Sequence, residues 1–584
     1  MNQEYLSKKK VLINRLANSG INISPKSIEI IMKLENPLIK ADIIIQEMNI
    51  IPTFNGHLTL DVMQKISNEE IQRVLKRENL KLIYDEKANI NENNLKSDRT
   101  DIPASIKSEG ANSITTQNSI NIPQPKKPES VVIDPLPAKR QQPKIKQFDS
   151  AKSSLSFNPI AKNYEFEYKI LKDPNGKLFT NGTFDDFYEM TIDKYNSLRN
   201  LMRNRTEVLS ATNIENIIRL SNNAEVSTMG LIKSIRLTKN KNYLLSLEDL
   251  TGEVNVLIKK NNDDINDLKR TERIVNDQMI YVEGVYNPST SKGRGIIFAN
   301  EFTKIDIPTN FQPNKATEPL AVALISDTHI GSKEFEETLF NKFIQFLNGK
   351  VGDNKVRKLA GKIKYLIING DLIDGIGVYP NQNEDLLISD IYKQYDKATE
   401  FIKEIPEYIK IFYVSGNHEP VRNAIARPAV PKKYCKGLVD LGVKFLGNPS
   451  LISTHGVKTL IFHGESMHDL NMSVPDLDIK KPTETMKELL ICRHLAPTYG
   501  GKTQIAPTSK DWLVIDTVPD IFHTGHLHIN GFDRYRNVNL INSGCFQAQT
   551  DFMRSFGIDP TIGIVPVIEL DSLKTSLLDF KKQL

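Results

Sequence analysis

Five short apolar runs in the C-terminal half of the chain stop at residues that bind metals, and this repetition limits the fold more than any other feature. Residues 322–325 lead into Asp327-Thr328-His329. Residues 365–368 lead into Gly370-Asp371, and 411–414 into Gly416-Asn417-His418. Residues 459–462 lead into His463-Gly464, and 521–523 into Gly525-His526-Leu527-His528. Apolar runs this short and continuous read as strands buried on both faces. In an extended chain, residues two apart point the same way, so Asp327 and His329 can reach one point. A carboxylate oxygen and an imidazole nitrogen meeting there suit a divalent cation. Glycine beside such residues lets the backbone turn sharply and lets other groups approach closely. One Asp-x-His pair carries little weight, but five ordered strand ends of this kind read as one site beyond the carboxyl ends of the strands.

The rest of the chain divides by composition. Residues 1–84 carry apolar residues at near-helical spacing, including Val11, Leu12, Leu16, Ile28, Ile31 and Leu34, and read as a small helical N-terminal module. Residues 85–160 are rich in Asn, Ser, Lys, Pro and Gln, bury too little to offset their ordering entropy, and read as a flexible linker. Within 161–315 short strand-like runs at 226–237, 243–247, 254–258 and 279–285 alternate with polar turns. The phrase from Ser246 to Val256, with Gly252 at its turn, resembles an OB-fold with flanking helices. From 316 to 584 strands alternate with helical stretches at 340–346 and 391–405, an α/β pattern, and 512–515 and 538–541 read as further strands.

Net charge is only +5 over 584 residues, so any surface that meets nucleic acid is local. Cys435, Cys492 and Cys545 form no disulfide framework, which points to a reducing, cytoplasmic setting. No apolar run approaches the ~20 residues of a membrane span, and the N-terminus lacks the apolar core of a signal peptide.

The ordered set of strand ends resembles the calcineurin-like metallophosphoesterase superfamily. Four blocks bring the resemblance closer to the small subunits of archaeal family D DNA polymerases. They are Gly370-Asp-Leu-Ile-Asp-Gly-Ile-Gly-Val-Tyr-Pro380, Asp390-Ile-Tyr-Lys-Gln-Tyr395, Gly416-Asn-His-Glu-Pro-Val-Arg422 and Asn542-Ser-Gly-Cys-Phe-Gln-Ala-Gln549. The resemblance implies a multidomain α/β protein: a calcineurin-like β-sandwich flanked by helices, preceded by an OB-fold domain and a small N-terminal helical domain. It implies two divalent metal ions, Mn²⁺ by the same resemblance, while the ligand set alone would also admit Fe or Zn. Asp327, His329, Asp371 and His528 would hold one, and Asp371, Asn417, His463 and His526 the other, with Asp371 between them. His418 would be the catalytic residue, stabilising the transition state or serving as acid for a leaving 3′-oxygen.

The activity implied is 3′→5′ exonuclease on DNA, removing mispaired ends for a large polymerising subunit. A stand-alone metallophosphoesterase and a non-catalytic scaffold subunit are the alternatives. Glu419 stands where many superfamily members have Asp, a change expected to reorient a neighbour without removing a metal. Arg422, Arg427, Lys432, Lys433, His494, Tyr499 and Lys502 are candidates to meet DNA phosphates, while Asp374 and His468 read as supporting or turn residues. The segment from Gln142 through Ile145 to Phe148 is similar to a sliding-clamp-binding peptide, with Asp149 in place of its second aromatic, and makes a clamp a further candidate partner.

Overall fold

The computed structural model describes residues 157–582 apart from 209, 261–264, 289–294 and 556, together with scattered residues between 9 and 71. The expected linker up to 156, with its clamp-like segment, lies outside the described residues. The chain forms two compact units, Met1–Ile145 and Lys146–Leu584. In the first, strand β1 (Asn22–Ile23) pairs in parallel with β2 (His57–Leu58). Helices Pro25–Met32 and Pro37–Met48 place Ile30, Ile31, Ala41, Ile44 and Met48 in a core with Leu12, Leu16 and Leu58.

The second unit opens with β3 (Tyr168–Lys172). A barrel follows, made of β4 (Ala224–Leu237), β5 (Tyr243–Glu248), β6 (Glu253–Ile258), β7 (Met279–Asn287) and β8 (Ile296–Lys304). The barrel closes in the order β4-β5-β6-β8-β7, and its β6–β8 pair is parallel. Every second residue of β6 is buried, so Val254, Val256 and Ile258 point inward beside Leu245, Leu247, Ile280 and Phe302. Strand β8 escapes the sequence reading for a physical reason. Its register against β7 shifts between Glu283 and Gly284, and Asn300 is passed over. That bulge breaks the alternation by which a strand is recognised.

The remaining strands are β9 (Ala321–Ile325), β10 (Ile363–Asn369), β11 (Lys410–Val414), β12 (Lys444–Leu446), β13 (Ser450–Thr454), β14 (Val457–Ile461), β15 (Ile521–Thr524), β16 (Gly531–Tyr535), β17 (Val538–Asn542), β18 (Ile564–Glu569) and β19 (Thr575–Asp579). They build two six-stranded sheets, β12-β11-β10-β9-β18-β19 and β16-β17-β15-β14-β13-β3. Strand β3, which the sequence reading groups with the barrel, thus borders the second sheet through β13. Between the sheets, Val322, Leu324, Tyr365, Ile367 and Phe412 meet Ile452, Ile461, Ile521 and Ile541.

The alternate residues of the same strands face helices. Ala323, Ile325, Leu366 and Ile368 pack with Phe340 and Phe343 of helix Glu337–Leu347 and Tyr395 of helix Ile391–Lys403. Leu460, Phe522 and Leu540 pack with Met486, Leu489 and Leu490 of helix Pro482–Cys492. Burial on both faces is why these strands read as unbroken apolar runs. Each buried Leu, Ile, Phe or Met among them contributes roughly 1.5–3 kcal/mol relative to exposure.

Residues 512–515 do not form the expected strand. Only Val514 bridges, to His494, while Trp512, Leu513 and Ile515 pack into the apolar cluster behind the second sheet. Hydrophobicity here reflects packing, not pairing. All three cysteines are free and buried. Among the described residues no helix is long and apolar enough to cross a membrane.

Candidate metal centre

Strands β9, β10 and β11 run parallel in one sheet, and β14 and β15 run parallel in the other. Loops leaving the carboxyl ends of these five strands converge. The convergence does not rest on extended backbone, as the i, i+2 argument supposes. Asp327, His329, Asp371, His526 and His528 all have left-handed backbone, with φ of +52°, +54°, +52°, +66° and +58°. Such residues cost roughly 1–3 kcal/mol each and persist where the surroundings hold them. Glycines next to them are required by closeness: a Cβ on Gly370 would strike His463, and one on Gly416 would strike Asp371.

The side chains form two groups joined by Asp371 and, at the same reach, by Asp327, whose Oδ1 is 3.9 Å from His463 Nε2. In the first, His329 Nε2 lies 3.0 Å from His528 Nε2, which lies 3.5 Å from Asp327 Oδ1. In the second, His463 Nε2 lies 3.1 Å from both Asp371 Oδ2 and Asn417 Oδ1. His526 completes this group, with one donor atom each from Asp371, His463 and His526 lying within 4.8 Å of one another. Asp371 Oδ2 is also 3.9 Å from His329 Nε2 of the first group. Donors held at ~2.0–2.2 Å from one cation stand about 3 Å apart, so the spacing within each group fits a shared ion.

Orientation points the same way. His463 Nδ1 donates to Asn369 O at 2.8 Å and His418 Nδ1 to Asp374 O at 2.6 Å, so each ring turns its Nε2 lone pair toward the centre. His329 Nδ1 is 2.9 Å from Asp374 Oδ1, which gives Asp374 an anchoring role. His528 Nδ1 is buried without a hydrogen-bond partner.

Burial keeps His526 and His528 neutral by lowering their pKa far below the usual imidazole value. Burial also works against a charge on His463, but the Asp371 and Asp327 carboxylates outweigh it and raise the imidazole to about 9. Burial pushes Asp327 up to about 7, whereas at Asp371 burial is overcome by His463 and His418, which hold its carboxyl well below the usual range. The centre therefore gathers protons where its carboxylates crowd together. A divalent ion at these donors would displace them.

Residues 320–530 match the calcineurin-like phosphoesterase family. The chain is 40% identical over 417 residues to the DNA polymerase II small subunit of Methanothermobacter thermautotrophicus, covering 71% of this chain and 83% of that one. With the DNA polymerase II small subunit of Methanocaldococcus jannaschii it shares 37% identity over 435 residues, 74% of this chain and 72% of that one. The chain belongs to the archaeal DNA polymerase II small subunits.

In this small subunit Glu419 does more than nudge a neighbour. Its buried carboxylate accepts from the backbone N–H of Asp371 (3.0 Å), Leu372 (2.9 Å) and Gly416 (2.6 Å), and from Tyr413 Oη (2.6 Å). One side chain thereby ties the loop after β10 to the loop after β11. Two candidates for DNA contact prove to be interior. Arg427 is 3% exposed and ion-paired with Glu465, and His494 is buried 2.8 Å from Asp511. Arg422 spends its guanidinium on the carbonyls of Ala426 and Leu178. Lys432, Lys433, Tyr499 and Lys502 are exposed. His468 sets its ring against His526, centroids 5.3 Å apart.

Two supports were not singled out from sequence. Asn448 Oδ1 accepts from the His463 N–H at 3.1 Å, and Gln547 Nε2 donates to Asp374 Oδ1 at 3.2 Å. Gln547 at least lies inside the Asn542–Gln549 block; nothing local distinguishes Asn448.

Proposed function

We propose that this small subunit is a dinuclear metal-dependent 3′→5′ DNA exonuclease that proofreads for a large polymerising subunit. The observation that carries this reading is the meeting of two complete donor groups at Asp371, with His418 beside them. Asp327, His329, Asp371 and His528 would hold one ion; Asp371, Asn417, His463 and His526 would hold the other, Mn²⁺ being the ion favoured. When bound, such a pair supplies Lewis acidity and charge for attack on a phosphodiester.

The chain's own residues do the rest. Asp371 Oδ1 accepts from the His418 backbone N–H at 2.9 Å and so fixes where that ring starts. His418 Nε2 stands 3.9 Å from Asp371 Oδ2, at the edge of the donor set. There it stabilises charge on the phosphoryl oxygens or passes a proton to the departing 3′-oxygen. The closed barrel, with its parallel β6–β8 pair and helix Ile265–Glu272 between β6 and β7, supports an OB-fold reading. We assign the regions as 1–84 helical module, 85–160 linker, 161–315 OB-fold domain and 316–584 phosphodiesterase domain, with β3 lent to the last. Exposed Lys432, Lys433 and Lys502 are the cations left to meet DNA phosphates.

The test is Mn²⁺-dependent excision of a mismatched 3′ end, by the full chain alone and with its large subunit. His418→Ala should lose roughly 10²–10⁴-fold in excision while metal analysis still finds two ions. Unchanged excision by that variant removes His418 from the chemistry. No excision by the unaltered chain, alone or with its partner, refutes the nuclease reading in favour of a scaffold subunit.

A further inference from the structure

A file of aromatic rings leads from the surface to the donor set. Phe552, 45% exposed, stacks on Tyr379 with centroids 5.1 Å apart and planes 27° apart. Tyr379 is 6.4 Å from the His418 ring, His418 is 4.6 Å from His329, and His329 is 4.8 Å from His528. The inner three rings belong to the site already described. The outer two are not among its metal donors, and they come from parts of the chain far apart in sequence: the loop after β10 and the short helix Asp551–Ser555.

The loop that carries Tyr379 is held close over the site. Gly375 lies against the His418 carbonyl and the Val378 side chain, so a Cβ there would strike the carbonyl. Gln382 Oε1 accepts from Val378 N at 2.8 Å, and Gln382 Nε2 donates to Asp374 Oδ2 at 2.9 Å. Tyr379 Oη donates to Asp385 Oδ2 at 3.0 Å, which fixes the ring plane. The same loop leaves Ile376, 43% exposed, and Leu387, 73% exposed, in solvent.

We propose that Tyr379 and Phe552 form a stacking platform for the unpaired nucleobase at a DNA 3′ end, holding its phosphodiester within reach of His418. The proposal rests on the nuclease reading for its substrate and adds how that substrate is chosen. Every base has a π-face, so a stacking platform accepts all four bases without reading sequence. A paired terminal base is already stacked in its duplex and must be unstacked to reach the platform, at a cost least for a mismatched one. Selection for frayed ends then follows from the platform alone, without any contact that recognises the mismatch itself.

The test uses the full-length chain, with two readouts. First, with divalent metal withheld so that no cleavage occurs, a single-stranded oligonucleotide ending in 2-aminopurine reports stacking by fluorescence quenching. Second, KM for excision is compared between a normal 3′-terminal nucleotide and an abasic one. The unaltered chain should quench 2-aminopurine and should show a KM roughly tenfold lower for the normal end than for the abasic end. Phe552→Ala should lose the quenching and bring the two KM values together, and Phe552→Trp should restore both. Tyr379→Phe keeps the ring, gives up only the bond to Asp385, and should keep the preference.

Equal KM for normal and abasic ends in an active, unaltered chain overturns the platform and leaves the nuclease reading intact. Absence of cleavage together with quenching that Phe552→Ala abolishes does the reverse. Quenching that survives Phe552→Ala overturns the platform in either case.

Discussion

The barrel β4–β8 and the two-sheet region share an apolar β core, yet they spend their polar residues in opposite ways. In the barrel strands the charges sit outside or half-buried and pair near water, apart from Lys304, which is buried at the end of β8 beside Glu488. Lys233 bridges Glu248 and Glu253 while 53% exposed, and Arg270 bridges Glu301. In the two-sheet region the charges go inside. Asp327, Asp371, Asp374 and Glu419 are all buried at one edge, each in a bed of hydrogen bonds. A buried charge is expensive unless paired and satisfied, and each of these four carboxylates is held by hydrogen bonds that satisfy it.

The difference is open to direct attack. Asp371→Asn should lower excision by on the order of 10³-fold and reduce bound metal at both positions, because Asp371 faces both donor groups. Full activity, or loss of only one ion, would remove Asp371 from the junction. Glu419→Ala strands three backbone N–H groups and the Tyr413 hydroxyl. It should cost about 3 kcal/mol in denaturant unfolding and weaken metal binding, although Glu419 is not itself a donor to either group. Unaltered stability would show that water replaces the carboxylate.

A subtler contrast appears with pH. Residues 224–304 of the barrel contain no histidine. In β15, burial holds the His523 imidazole down to about 3. Its unfolded form takes up a proton below ~6.5 while the folded form does not, so its contribution is complete above that pH and is lost as pH falls toward 3. The slope reaches roughly 1.4 kcal/mol per pH unit. Denaturant unfolding of metal-free protein at pH 7 and pH 4.5 should show a smaller pH dependence in His523→Gln than in the unaltered chain. Equal slopes would mean that His523 titrates normally. The smallest effect belongs to the barrel surface. Lys233→Ala should change stability by no more than about 0.5 kcal/mol and leave excision as it was; a larger change would show that the barrel's charges also serve the fold.

Much of this centre is legible in the sequence. Strands buried on both faces write continuous apolar runs, and their ends carry Asp, Asn and His beside glycine, so Asp327, His329, Asp371, Asn417, His418, His463, His526 and His528 stand out from sequence. Barrel strands β5 and β6 are recognisable to within one residue and β4 and β7 two residues short, because their alternation is local; β8 is not, because a bulge shifts its phase. Other features were decided only in three dimensions. Arg427 and His494 look like any surface cation in sequence, since burial is a property of neighbours far along the chain. Glu419 looks like a conservative exchange until its carboxylate is seen gathering donors from two loops.

Sequence by itself determined which residue types stand at the strand ends, because covalent order and strand length are local matters. Only the tertiary structure decided which of them meet. That depends on the order β11-β10-β9 in one sheet facing β14-β15 in the other. It depends also on left-handed backbone at five donors, which an isolated chain would not adopt and which the packed edge maintains.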